Sequence, residues 1–130
     1  MKITKVYTTN INLKDVFQAW ISEDSIVPPV IRITSNPVVG GEYILYSGDK
    51  GDYVMKGKFI EIVENSKLKY TWHWEESEET TIITVVFQVV DGMTQIQVQH
   101  EGFLTKESKE MHDEGWDSYW DGLIKLLTKN

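Results

Sequence analysis

From residue 30 to residue 103 the chain mostly alternates apolar and polar positions, whereas residues 13–20 and the last 25 residues carry helical spacing. A first strand is predicted over residues 3–9, rich in β-branched side chains. Asn12 then precedes Leu13, Val16, Phe17 and Trp20, which share one helical face; Asn12 suits the N-cap and Asp15 the first turn. Pro28-Pro29 must end that helix. Six more strands are predicted at about 30–35, 42–48, 53–63, 67–76, 80–90 and 93–102. They are separated by the turn residues Gly40-Gly41, Gly48-Asp49-Lys50-Gly51, Glu64-Asn65-Ser66 and Asp91-Gly92. These loops are hairpin-sized, so neighbouring strands should be antiparallel.

The alternation also assigns faces. Leu68, Tyr70, Trp72 and Trp74 fall on one side of their strand, opposite Lys67, Lys69, Thr71, His73 and Glu75. Ile96, Val98 and His100 oppose Gln95, Gln97, Gln99 and Glu101, and Ile83, Val85, Phe87 and Val89 make a third apolar row. One dry and one wet face describe a sheet covered on a single side. A change of phase near Phe59-Ile60 predicts a bulge that bends it. In the last stretch His112, Trp116, Tyr119, Trp120, Leu123, Leu126 and Leu127 form one stripe, opposite Glu114, Ser118, Asp121 and Lys125. Lys125 and Lys129 lie where the helix dipole favours positive charge. Gly115 within this helix suggests a backbone passing too close for a Cβ. The expectation is one α+β domain over residues 1–130, a curved antiparallel sheet of six to seven strands around a long C-terminal helix. A cavity between the two is the natural ligand site of such a shape.

Composition narrows the function. A net charge of −7, from 20 acidic and 13 basic side chains, argues against nucleic acid and against an anionic membrane surface. With no cysteine there is no disulfide, thiolate nucleophile or sulfur-bound zinc. No apolar run approaches a membrane span, and Met1-Lys2-Ile3-Thr4-Lys5 does not open a signal peptide, so a cytoplasmic location is expected. Five Trp, six Tyr and four Phe are a large aromatic complement for 130 residues.

Gly40-Gly41-Glu42-Tyr43, Gly57, Leu68-Lys69-Tyr70-Thr71-Trp72, His100-Glu101-Gly102 and His112-Asp113-Glu114-Gly115-Trp116 follow one another in that order, ending on Asp117-Ser118-Tyr119-Trp120-Asp121-Gly122-Leu123. This series resembles the activator of heat-shock-protein-90 ATPase homologue-like family of the START-like, or SRPBCC, superfamily. The resemblance covers nearly the whole chain. It implies the helix-grip (START/Bet v 1-like) fold, in the order β-α-(α)-β6-α, and a deep cavity between sheet and last helix. Two departures stand out. The family's short second helix carries a Trp-Phe-Gly-like turn, where this chain reads Ser22-Glu23-Asp24-Ser25-Ile26-Val27-Pro28-Pro29. The extra N-terminal domain of the eukaryotic co-chaperones has no counterpart in these residues, so a chaperone partner is not expected.

The candidate ligand-binding residues are Trp20, Tyr70, Trp72, Trp74, Phe87, His100, His112, Trp116, Tyr119 and Trp120. Large rings with polar handles suit a flat, mostly apolar molecule such as a lipid, polyketide or flavonoid-like compound, and equally suit an ordinary core. His100 and His112 lie on facing apolar surfaces. They read either as an acid/base pair of a cyclase, dehydratase or hydrolase, or as two histidines satisfied by backbone and carboxylate groups. His73 should be exposed. No metal and no cofactor is expected, because His100 and Glu101 point to opposite faces. The glycines at 40–41 start no helix and make a turn, not a phosphate cradle. Glu75-Glu76-Ser77-Glu78-Glu79 reads as a solvated hairpin tip or a protein-docking patch. A homodimer is left open.

Overall fold

A computed structural model of the chain describes residues 1–128. The order is β1 (Lys2–Thr9), α1 (Leu13–Ile21), β2 (Val30–Ser35), β3 (Glu42–Ser47), β4 (Tyr53–Val63), β5 (Lys67–Trp74), β6 (Thr81–Val90), β7 (Met93–Glu101) and α2 (Lys106–Thr128). The strands form one seven-stranded sheet in the order β1-β7-β6-β5-β4-β3-β2, antiparallel at every pairing. Strands β2 to β7 therefore run as a meander. The segment from α1 to residue 29 carries the chain from the β1 edge to the β2 edge, across the face on which α2 lies.

The local chemistry accounts for these boundaries. Asn12 caps α1, its side chain accepting from the Lys14 N–H (2.9 Å). Thr105 plays the same part for α2, its hydroxyl accepting from the Ser108 N–H (3.0 Å). Asp91 and Gly92 both hold positive φ (52° and 75°), the backbone of a tight hairpin matched to strand twist. The bulge predicted near Phe59-Ile60 is present, the β4–β5 register shifting between Phe59 and Glu61. Beside it sits Gly57, where a Cβ would run into the Thr71 carbonyl of β5. A residue with no side chain is what lets the two strands close at the bend.

The inward rows meet under both helices. Ile3, Leu68, Ile83, Val85, Ile96 and Val98 from the sheet are buried with Val16 and Phe17 of α1 and Leu123 of α2. Four expectations change. Val89 is exposed, since the sheet runs on past the area that the helices cover, and Leu126 lies at the rim of its stripe, 39% exposed. His73 is half-buried rather than exposed, because its ring folds onto the β5–β6 hairpin, with Nδ1 3.0 Å from the Glu79 carbonyl oxygen. Gly115 meets nothing: a Cβ there would have no neighbour within 4 Å. The close approach falls at Gly122, against the Val27 side chain from the segment after α1. Lys129 lies outside the described residues.

Candidate functional site

The inner face of the sheet and the two helices bring nine of the ten predicted site residues into two adjoining ring clusters. The first is built on Trp20. Its indole N–H donates to the Tyr70 hydroxyl (3.1 Å), and its ring stacks on Trp116 (6.0 Å) and meets Tyr119 (5.1 Å) and Phe87 (5.7 Å) edge-on. Tyr43 of β3 joins from the far side, its ring 6.0 Å from Tyr70 and 5.9 Å from Phe59. Burial pushes the Tyr43, Tyr70 and Tyr119 hydroxyls far above the ordinary phenol range, with mutual repulsion adding at Tyr70 and Tyr119. All three stay protonated.

The second cluster is built on His100, only 1% exposed. The Trp116 indole N–H donates to His100 Nδ1 (3.0 Å), so the neutral ring carries its proton on Nε2 and donates to Thr81 Oγ1 (2.6 Å). The Thr81 hydroxyl in turn donates to the Trp72 carbonyl (3.2 Å). Burial first, and then the neighbouring His112, lowers the His100 pKa from 6.5 to about 3. His112 meets His100 edge-on at 5.3 Å, while its Nδ1–H donates to the Ser108 carbonyl (2.8 Å). The two histidines do face each other across one space. Both nitrogens of His100 have partners, and burial favours the neutral ring.

Trp72 and Trp74 are half-buried and packed edge-to-face (6.0 Å), with Trp72 6.2 Å from His100. The Trp72 indole N–H is buried, and no acceptor among the described residues lies within hydrogen-bonding distance. Trp120 is the residue left out. Its ring stacks on Tyr7 of β1 (4.9 Å, 11° between planes), at the sheet edge. There Lys5 Nζ bridges Asp113 (2.7 Å) and Asp117 (3.2 Å), and the Tyr7 hydroxyl donates to Asp117 (2.8 Å).

Tyr43, Thr81 and Phe103, whose ring lies 4.6 Å from His100 and 5.2 Å from His112, join these clusters and were not read as such from the sequence. Tyr43 stood in plain view after Gly40-Gly41-Glu42, on the same alternation as Leu45, which was the signal available. The acidic hairpin tip also proves more than solvated: the Glu79 carboxylate accepts from the Leu104 N–H and the Ser108 hydroxyl (2.6 Å each), tying the β5–β6 hairpin to the start of α2.

The deep cavity implied by the resemblance is replaced by these rings. Two surface depressions lie elsewhere. One is bounded by Met1, Lys2, Thr80, Ile82, Glu101 and Gly102, the other by α1 residues with Ser22, Ser25 and Leu127. The interior fills because six large rings (Trp20, Tyr43, Tyr70, Phe87, Trp116 and Tyr119) project inward from five elements. Among the described residues no three His, Asp or Glu side chains gather as metal ligands would. None of the described helices is long and apolar enough to cross a membrane.

The family model for activator of Hsp90 ATPase homolog 1-like protein matches residues 10–128. No curated protein matches the sequence. Among solved structures, protein MLL2253 from Mesorhizobium loti superposes with a TM-score of 0.86 at 17% identity, over 100% of this chain and 98% of its own. The Aha1 dimer from Colwellia psychrerythraea gives 0.83 at 15% identity, over 99% and 97%. DynU16, a putative protein in the dynemicin biosynthetic locus, gives 0.83 at 11% identity, over 98% of this chain and 47% of its own. At these identities the likeness is one of fold.

Proposed function

The chain belongs to the activator of Hsp90 ATPase homolog 1-like family, and from that premise we propose that it binds a small, flat, mostly apolar molecule between the inner sheet face and α2. A sheet curled around one helix brings rings from several elements together, and a guest would have to part the packing between them.

One observation carries the reading, the buried Trp72 indole N–H without an acceptor. Leaving such a donor unpaired costs about 1–3 kcal/mol, which an oxygen on the guest would recover. Trp72 and Trp74 are also only half-buried, so opening the interior beside them sacrifices less packing than opening it at Trp20 or Trp116. A guest with about 300 Å² of apolar surface gains about 7 kcal/mol at about 25 cal/mol per Å². Association costs take back several kcal/mol, which leaves a Kd of order millimolar before the Trp72 hydrogen bond adds to it.

The test is titration of the purified protein with naphthalene and 2-naphthol, followed by tryptophan fluorescence and Tm. Quenching and a raised Tm are expected, with 2-naphthol the tighter of the two. Trp72→Phe keeps an aromatic face and removes the N–H, so it should weaken 2-naphthol several-fold, about 1 kcal/mol, and leave naphthalene nearly unchanged. Neither quenching nor a thermal shift from either compound would overturn the proposal.

A further inference from the structure

The solvent side of the sheet, away from the helices, is divided in two. Over β4 and β5 it carries Lys56, Lys58, Lys67 and Lys69. Over β6, β7 and β1 it carries no charge for three consecutive rows. The strand register aligns Val6, Gln97 and Val86 across the three strands. The flanking rows are Thr4-Gln99-Thr84 on one side and Thr8-Gln95-Gln88 on the other, and Met93 with Val90 extends the face further. Charge returns only in the row beyond Thr4, with Lys2 and Glu101. Uncharged ground of this width stands out in a chain that is 25% charged, with a net charge of −7. Moreover, β1 is an edge strand, where exposed charges ordinarily keep other chains away, yet its central residue on this side is Val6, 57% exposed.

This surface is complementary to itself. A row of lysines or glutamates repels its own copy, whereas a glutamine amide both donates and accepts. Gln95 Oε1 accepts from the Gln88 and Gln97 amides (2.7 and 3.2 Å), so the Gln88 and Gln97 carbonyls are left to accept and the Gln95 amide to donate. At the centre two valines flank Gln97, an apolar middle within a polar rim, which is how protein interfaces are built. Four rows at about 6.8 Å and three strands at about 4.8 Å give a footprint of about 400 Å², and side chains standing off the sheet enlarge the accessible area. Two copies would bury about 1,000 Å² together, enough for a specific contact that forms and parts with concentration and too little for an obligate one. A charged partner finds no counter-charge on these rows, while a second copy brings the same valines and amides. A single patch that pairs with itself closes on a two-fold axis. We infer that the solvent face of β1, β7 and β6 is the contact surface of a reversible homodimer, with Gln97 meeting Gln97 of the second copy.

Sedimentation equilibrium of the full chain tests this. The weight-average mass should rise from that of one chain toward that of two between about 10 µM and about 500 µM. Gln97 is exposed, so Gln97→Lys should fold with an unchanged Tm. It sets like charges face to face and should weaken the dimer about tenfold or more. It also moves the net charge from −7 toward zero, so overall repulsion does not account for the loss. Gln97→Glu should weaken the dimer likewise, and an equimolar mixture of the Gln97→Lys and Gln97→Glu chains should recover the association. A native chain with the mass of one copy at every concentration would overturn the inference. So would a mixture that stays monomeric, or a dimer indifferent to Gln97→Lys, which would put the contact elsewhere, on the open edge of β1 for example.

Discussion

At the scale of single residues, His100 shows how burial decides chemistry. Its ring accepts from Trp116 and donates to Thr81, and burial lowers its pKa from 6.5 to about 3. A folded pKa below the unfolded one means that the unfolded chain takes up a proton which the native chain refuses. The stability held by neutral His100 is complete above about pH 6.5. It is lost as the pH falls toward 3, at up to about 1.4 kcal/mol per pH unit. His100→Gln preserves one acceptor and one donor and does not titrate. Denaturant unfolding of both proteins from pH 7 to pH 4 should find the variant weaker at pH 7 by about 1–3 kcal/mol, with a shallower decline below pH 6.5. Parallel curves would show that His100 is not the titrating group.

Within α2 two glycines in one helix invite opposite outcomes. At Gly115 a Cβ meets nothing within 4 Å, so Gly115→Ala should gain helix propensity and raise stability by up to about 1 kcal/mol. At Gly122 the same methyl group would strike Val27, and Gly122→Ala should cost about 1–3 kcal/mol despite that propensity. Removing the obstacle in Gly122→Ala/Val27→Ala should recover part of the loss, a coupling that urea unfolding of the four proteins would measure. Additive effects would mean that Val27 does not hold the segment after α1 against the helix. The two positions look alike in sequence, since nothing local to residue 115 or 122 says which one another part of the chain approaches.

Across the whole molecule, the polar clamp on β1 joins the first strand to the last helix. The Tyr7 hydrogen bond, then Lys5, holds the Asp117 carboxyl below its ordinary value, and the Asp113 hydrogen bond leads in raising the Lys5 pKa. The depressed carboxylate contributes above about pH 3.8 and is lost as the pH falls through its folded value. The raised lysine contributes below pH 10.5 and is lost as the pH rises through its folded value. Asp117 is largely exposed, so Asp117→Asn should lower stability by no more than about 1 kcal/mol at pH 7, less in 1 M salt, and progressively less as the pH falls below 3.8. Lys106→Gln, which breaks an exposed pair of 3.9 Å within α2, should change nothing measurable in the same unfolding assay. Equal losses from both would deny the clamp any part in holding β1 to α2.

What the sequence determined by itself was everything that depends on periodicity and on the local needs of the backbone. The nine elements, the bulge beside Phe59, the Asn12 cap and the inward rows of Leu68-Tyr70 and Ile96-Val98-His100 follow from alternation, helical spacing and turn residues. Each of these acts within a few positions along the chain. The tertiary structure alone decided what faces what. Alternation places His100 inward and cannot say that Trp116 and Thr81 take both its nitrogens. Helical spacing groups Trp120 with Trp116, whereas packing sends Trp120 to Tyr7 at the sheet edge. A cavity and a packed interior have the same pattern of apolar positions. Which one forms depends on how the volumes of rings from five elements add up in three dimensions.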